Sequence, residues 1–490
     1  MAETRRFSGI SSRTQLKAAN NLGIIARPMN QTSKQFRKVE LETLDAYYEG
    51  RQYAGLPKWT DSQASDGSYV PVRDRAPMLQ LNFARILTSR VAAKLVGRRN
   101  FPMLNIPDDP DTTELLSLVM KQAQLQSMLA EPIRRMLVSG SVLVRFSVVN
   151  GQYKLEHFLS KWCFPVFDTN DNMESVKIQY VYEDENDKDP ETRQPRKKWF
   201  RMDLTKGTDI LYDNPIYKAD SEPDFKPVNQ VSHNLGFVQA EWMRTAKMPN
   251  TVDGQSIIAD VLGFVDELNY NFSQSSQAVS YNQDPQLTFQ NMDEDDVKAL
   301  IRSSVKGWNL GKEGTAAFLE SSMNGVTAAT EFRDKVRLSV QDIARVVLLD
   351  PEKVVGHAQS GRAMEVLHGP MVELIEELQP MIEKSIIAMT LKMMLTIFLL
   401  TRQNQPVPIQ IPPGFQPKSL SVVATWPDIF PQTMQDLQQK AQVASTVASA
   451  NLISRETITK WLAKDFGVEN IEEEVQKVND QPVINPFGGF

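Results

Sequence analysis

Two long runs of helical periodicity enclose a short stretch that breaks it, and that grouping restricts the architecture more than any other feature of the chain. In residues 254–282 the apolar positions Ile258, Leu262, Val265, Leu268 and Phe272 recur every three or four residues. In residues 326–349 Phe332, Val336, Val340, Ile343 and Val347 do the same. One apolar stripe at a period near 3.6 predicts an amphipathic helix in each. Between them Asp284-Pro285 interrupts the pattern, and Gln286 to Phe289 has the character of a short strand. The stretch from Trp308 to Phe318, with turn residues Gly311 and Gly314, has room for a second strand. At about 1.5 Å per residue each helix spans roughly 35 to 45 Å. Two such rods returning on each other hold a small cap away from the main body. That design suits assembly better than catalysis.

With 490 residues the chain can form two or three cores. Its 41% hydrophobic and 23% charged content is that of an ordinary soluble globular protein. A single cysteine, Cys163, excludes an internal disulfide framework and a cysteine-rich metal site. It lies in an apolar context, Phe158 to Pro165, and is expected to be buried. The four histidines, His157, His233, His357 and His368, lack the close spacing of a histidine metal centre, and no cofactor is expected. Residues 1–30 are polar and basic, without the apolar core of a signal peptide. The most apolar window, residues 386–400, is short and interrupted by Lys392 and Thr396, so a buried core helix is expected and no membrane partner.

Net charge is -6, yet residues 1–38 carry Arg5, Arg6, Arg13, Lys17, Arg27, Lys34, Arg37 and Lys38 against the single acid Glu3. Such a basic arm can touch nucleic acid or an acidic partner, or remain a solvated terminus. The mildly acidic remainder argues against tight phosphate binding over a large surface.

The order of elements predicts an α+β, helix-rich chain. A helix over 34–48 leads through aromatic residues 47–53 into a polar loop at 61–75. Amphipathic helices follow over 81–97, closed by Gly97, over 112–129 and over 131–138. At Ser141 the period changes: residues 142–149 and 152–155 flank Asn150-Gly151, a hairpin signal. Further strands are expected at 163–167, 175–182, 198–203 and 233–239, and the charged run 183–196 reads as an exposed loop. After a loop at 350–362 a third long helix is expected over 363–401, with kinks at Pro370 and Pro380. A Pro-rich extended stretch at 406–426 precedes helices over 433–450 and 455–466.

Phosphate-cradling GxxxxGK[ST] and GxGxxG patterns are absent, as is GxSxG. The densest carboxylate cluster, Asp293 to Asp296, projects around a helix start where the dipole favours acids rather than converging on a cation. Nothing points to an enzyme.

Four segments together resemble the portal proteins of tailed bacteriophages. Phe36 to Gln52, followed by the helix from Leu81-Asn82 to Val96-Gly97, is similar to the family's opening. Gly254-Gln255-Ser256 leading into Asp266, Asn269 and Ser273 resembles its first stem helix, with a Gly-x-Ser start and an Asp-x-x-Asn-x-x-x-Ser interior. Ser360-Gly361-Arg362-Ala363-Met364 is similar to the exit of the tunnel loop. Leu452 to Ile458, then Glu472 to Val475, resembles the C-terminal segment.

The resemblance implies a homo-dodecameric ring at one capsid vertex of the virion, assembled in the bacterial host cytoplasm, through which double-stranded DNA is packaged and ejected. It implies a basic arm at 1–35, a wing at 36–253 and stem helices at 254–282 and 326–349. It further implies a clip at 283–325, a tunnel loop at 350–362, a long wing helix with its extended segment at 363–429, a crown at 430–478 and a tail at 479–490. Expected partners are the terminase large subunit at the clip, a head-completion or adaptor protein, and major capsid and scaffolding proteins. Stem packing falls to Leu262, Val265, Phe272, Phe332, Val336, Val340 and Ile343, and clip docking to Trp308 and Phe318. The DNA-facing candidates are Lys353, His357, Gln359 and Arg362. The competing readings are another oligomeric virion structural or scaffold protein without a DNA channel, and an enzyme with a dispersed site.

Overall fold

A computed structural model describes residues 31–480 except 98, 108, 219–222, 234, 250, 284–285, 291–314, 320–323, 348–367, 412–420, 430–433, 451 and 464–470. Contacts divide the chain into two units: Met1–Val346 with Glu377–Thr425, and Val347–Glu376 with Trp426–Phe490.

The first unit opens with α1 (Gln31–Glu49) and, after a loop, α2 (Phe83–Val96). Asn82 explains where α2 begins. Its side-chain oxygen accepts from the Arg85 amide at 2.9 Å, and its amide nitrogen donates to the Tyr48 carbonyl at 2.8 Å. At the helix's end only glycine fits at 97, because a Cβ there would collide with the Ala93 carbonyl, although its φ of -58° is not left-handed. After β1 (Met103–Asn105) come α3 (Pro110–Gln122), with Asp109 as its cap and Pro at its first position, and α4 (Leu125–Ser139). The helix expected over 112–129 is therefore two, divided where Gln124 takes φ 50°.

β2 (Ser141–Val149) and β3 (Gln152–Leu159) pair antiparallel through Asn150 and Gly151, both at positive φ (51° and 74°), as a two-residue hairpin turn requires. The chain then builds a second sheet from β4 (Cys163–Phe167), β5 (Met173–Lys188), β6 (Pro195–Thr205), β7 (Thr208–Tyr212) and β8 (Pro227–Ser232). All its neighbours are antiparallel. β9 (Ala240–Arg244) returns to the first sheet and completes the order β3-β2-β9. Leu143, Phe158 and Trp242 of the first sheet and Cys163, Val176, Ile178 and Leu204 of the second belong to one buried cluster.

Two expectations fail in this region. The charged run 183–196 is mostly strand, because Glu183 and Asp184 stand opposite Lys197 and Arg196 across β5 and β6. Lys198 reaches Asp184 at 2.9 Å and Asp187 at 2.8 Å, so complementary charges steady an exposed ladder. Residues 233 and 235–239 are not a strand. The pairing segments lie on either side of them, β8 against β7 and β9 against β2.

α5 (Leu262–Gln283), β10 (Gln286–Gln290), β11 (Thr315–Leu319) and α6 (Asn324–Ala344) form the expected helix–cap–helix hairpin. Its helices are shorter than the periodicity implied. Residues 254–258 are held outside α5, with the Ile257 amide donating to the Leu137 carbonyl at 3.1 Å. α6 stops at Ala344 because Arg345 takes φ 53°, leaving Val347 beyond the helix.

α7 (Gly369–Arg402) begins in the second unit and continues in the first. Pro370 sits in its first turn, where a missing N–H costs little, and Pro380 lies within one continuous helix. α7 is the one described helix long and apolar enough to cross a membrane. Its stripe Ile382, Ile386, Met389, Met393 and Ile397 is nevertheless fully buried, as in a core helix. Lys392 donates to the Ala240 carbonyl at 3.0 Å and to Glu241 at 2.7 Å. β12 (Val423–Thr425) pairs with β1. The second unit adds α8 (Met434–Ser449), α9 (Arg455–Ala463) and α10 (Ile471–Asp480). The Ser454 hydroxyl accepts from the Thr457 amide at the start of α9.

Candidate functional site

α5 carries a buried polar seam. Asp266, Asn269 and Ser273 recur at i, i+3 and i+7, one face of a helix, and all three are buried. Each holds the N-terminal segment. Tyr47 and Tyr53 donate their phenol protons to the two carboxylate oxygens of Asp266, both at 2.7 Å. The Asn269 side chain accepts from the Leu81 amide at 2.7 Å and donates to the Tyr53 hydroxyl at 3.1 Å. The Ser273 hydroxyl accepts from the Leu79 amide at 2.9 Å.

A buried carboxylate is tolerable when donors replace water, and the two phenols do so. The Tyr53 phenol is correspondingly pushed above its ordinary range, first by burial and then by the Asp266 charge. Around the seam Tyr53, Trp59 and Tyr270 form an aromatic cluster, with Tyr53 and Tyr270 edge to face at 6.1 Å. The Trp59 indole donates to Gln277 at 3.0 Å. Arg73 grips Glu267 with two bonds of 2.6 and 2.9 Å, which raises the guanidinium's affinity for its proton. These are the motif residues named above, Asp266, Asn269 and Ser273, and their work is to lock residues 47–81 onto α5.

The stem-packing candidates divide. Leu262, Val265, Val336 and Val340 are buried, and Phe272 is half-buried beneath the Arg333 guanidinium, 4.6 Å from its ring centre. Phe332 and Ile343 are exposed. Ala344, two turns along from Val336, takes a buried place in the α6 stripe. At the far end β10 and β11 pair with Leu287 opposite Phe318.

At the near end two glycines cross. Gly140, at φ 79°, and Gly254 approach so closely that a Cβ on either would collide with the other's carbonyl, and one on Gly254 would also meet the Thr245 hydroxyl. This is why the Gly-x-Ser start needs its glycine. Beside the crossing, Arg37 bonds Asp253 at 2.5 Å and the carbonyls of Ser160 and Cys163 at 2.9 and 3.1 Å, and Ser141 donates to the same carboxylate. Arg37 and Ser141 thus tie α1 and the start of β2 to Asp253 beside the crossing. Cys163 is fully buried and its thiol is pushed well up, the reverse of an activated nucleophile.

The DNA-facing candidates Lys353, His357, Gln359 and Arg362 lie outside the described residues. So do Trp308, the acidic run 293–296 and the arm residues Arg5, Arg6, Arg13 and Lys17. Among the described residues no three His, Cys, Asp or Glu gather as a metal site would require.

A family model described as "Phage portal protein, SPP1 Gp6-like" matches residues 32–481, nearly the whole chain. The protein belongs to that family, which is structural rather than enzymatic. No curated protein matches it. Among solved structures, a chain of "Virion of native gene transfer agent (GTA) particle" is 10% identical, with 78% of this chain and 89% of that one covered at a TM-score of 0.39. A chain of "Neck of empty GTA particle computed with C6 symmetry" is 10% identical, with 91% and 97% covered at 0.41. A chain of "Neck of native GTA particle computed with C12 symmetry" is 10% identical, with 77% and 89% covered at 0.38. Likeness at those scores carries no functional argument.

Proposed function

We propose that this chain forms a closed ring of twelve copies at one vertex of a phage capsid, the conduit through which a packaging motor drives double-stranded DNA in and through which the genome later leaves. The observation that carries this reading is the α5–α6 hairpin ending in the β10–β11 pair, in a chain that the portal family model matches over 32–481. In that reading residues 36–253 and 363–429 are the wing, the hairpin helices the stem, residues 283–325 the clip, 350–362 the tunnel loop and 430–478 the crown. Mixed acidic and basic side chains without a phosphate cradle suit a conduit that must not grip what passes through it. The motor's ATPase, a terminase large subunit, docks at the clip, and a head-completion protein replaces it there. Capsid and scaffolding proteins surround the wing during assembly in the host cytoplasm.

Negative-stain imaging of the purified protein tests the reading: rings with a central channel are expected. Sedimentation as monomer or dimer at every salt concentration overturns it. For the tunnel loop, deleting residues 354–360 is expected to leave rings intact while impairing genome retention, and normal packaging by that variant removes its DNA-facing role. For the clip, Trp308→Ala is expected to weaken motor binding by about 2 kcal/mol with an unchanged melting temperature. A stability loss at unchanged affinity makes Trp308 local core instead.

A further inference from the structure

The two sides of the α5–α6 hairpin are unlike, and both expose apolar side chains. On one side Asn269 and Ser273 fix the backbone at Leu81 and Leu79, yet Met78, Leu79 and Leu81 stand 48%, 41% and 37% exposed. Three neighbouring apolar side chains held in place at the surface form the kind of exposed patch that marks an interaction site. Elsewhere on the hairpin Phe264, Phe332 and Ile343 stand 37%, 49% and 42% exposed.

Helix geometry separates these two sets. At about 100° per residue, Phe264 lies roughly 140° around α5 from Asn269 and roughly 180° from Ser273. Phe332 and Ile343 lie within about 20° of each other on α6, on one flank of the buried Val336–Val340 stripe. In an antiparallel pair of right-handed helices, that flank is the one shared with Phe264 and turned away from the pinned segment.

We propose that these two faces bind each other between successive copies of the chain. Met78, Leu79 and Leu81 of one subunit seat on Phe264, Phe332 and Ile343 of the next. The inference deepens the ring reading above and rests on it. Two dissimilar faces on opposite sides of one element make a head-to-tail contact, the kind that closes into rings rather than pairs. Charge agrees with this pairing: exposed Arg85 and Arg90 follow the pinned segment, while exposed Glu331 and Asp342, with Lys335 among them, flank the second face.

Disulfide capture tests the contact, since the single native cysteine, Cys163, is fully buried. A chain carrying both Leu79→Cys and Phe332→Cys, oxidised after assembly, is expected to run as a ladder beyond the dimer on a non-reducing gel, whereas each single variant stays monomeric. If rings are seen by microscopy but neither this pair nor Leu79→Cys with Phe264→Cys or Ile343→Cys gives a ladder, the face assignment is overturned and the ring stands. If the unmodified chain forms no rings, the ring reading falls and this inference falls with it.

Discussion

Asp266 accepts hydrogen bonds from Tyr47 and Tyr53, residues more than 200 positions earlier in the chain. The sequence marks Asp266, Asn269 and Ser273 as a family string on one helical face. It contains no local signal for Tyr47, Tyr53, Leu79 or Leu81 as partners, because hydrogen bonds over that separation leave no period or spacing to read. Asp266→Ala strands two phenol hydroxyls, and with hydrogen bonds to a charged group worth about 1.5–3 kcal/mol each it is expected to lower unfolding free energy by roughly 3 kcal/mol. Asp266→Asn keeps one acceptor and is expected to cost less than the alanine variant. Urea unfolding measures both. A loss below about 0.5 kcal/mol for the alanine variant removes the seam as the lock between the N-terminal segment and α5.

Elements were legible where their signals are local. Asn150-Gly151 between alternating strands, the helix that opens at Leu81-Asn82 and closes at Gly97, and the strand character of Gln286 to Phe289 all appear where the residues placed them. Two of the failures share one physical cause, a tertiary contact overriding a local cue. Opposed charges turn the run 183–196 into ladder, and bonding to the α4 terminus holds residues 254–258 out of α5.

The packing of α7 on β9 is of the same non-local kind. Glu241 and Lys392 pair at 2.7 Å with side chains 17% and 21% exposed, and burial raises the Glu241 carboxyl's affinity for its proton despite Lys392. Lys392→Met is expected to cost about 2–3 kcal/mol, because it leaves a buried carboxylate without its partner. The pH dependence follows from linkage. With the ammonium gone, the folded state holds a proton on Glu241 that the unfolded chain releases above about pH 4.3. Stability therefore falls as pH rises from there through the raised folded value. The variant is expected to be closer to wild type at pH 5 than at pH 8 in chemical denaturation, and an equal deficit at both removes Glu241 as the cause.

For the whole molecule, the stripe on α6 that periodicity presents as one feature serves two purposes in the structure. Val336 and Val340 belong to the chain's own core, while Phe332 and Ile343 face outward. A sequence cannot divide such a stripe, since burial by a helix of the same chain and burial by another copy select the same residue types. Substitution can. Val336→Asp places an unpaired carboxylate at a buried position, and is expected to cost several kcal/mol and to abolish assembly by unfolding the hairpin. Phe332→Ser, at a ring about half exposed, is expected to leave the subunit's unfolding free energy within about 1 kcal/mol of wild type, and still to make rings come apart at protein concentrations where wild-type rings persist. Circular dichroism with urea reads the first quantity and sedimentation velocity the second. If Phe332→Ser rings persist to the same dilution as wild type, the outward flank of α6 contributes nothing to assembly, and the contact between copies has to be sought on another face of the chain.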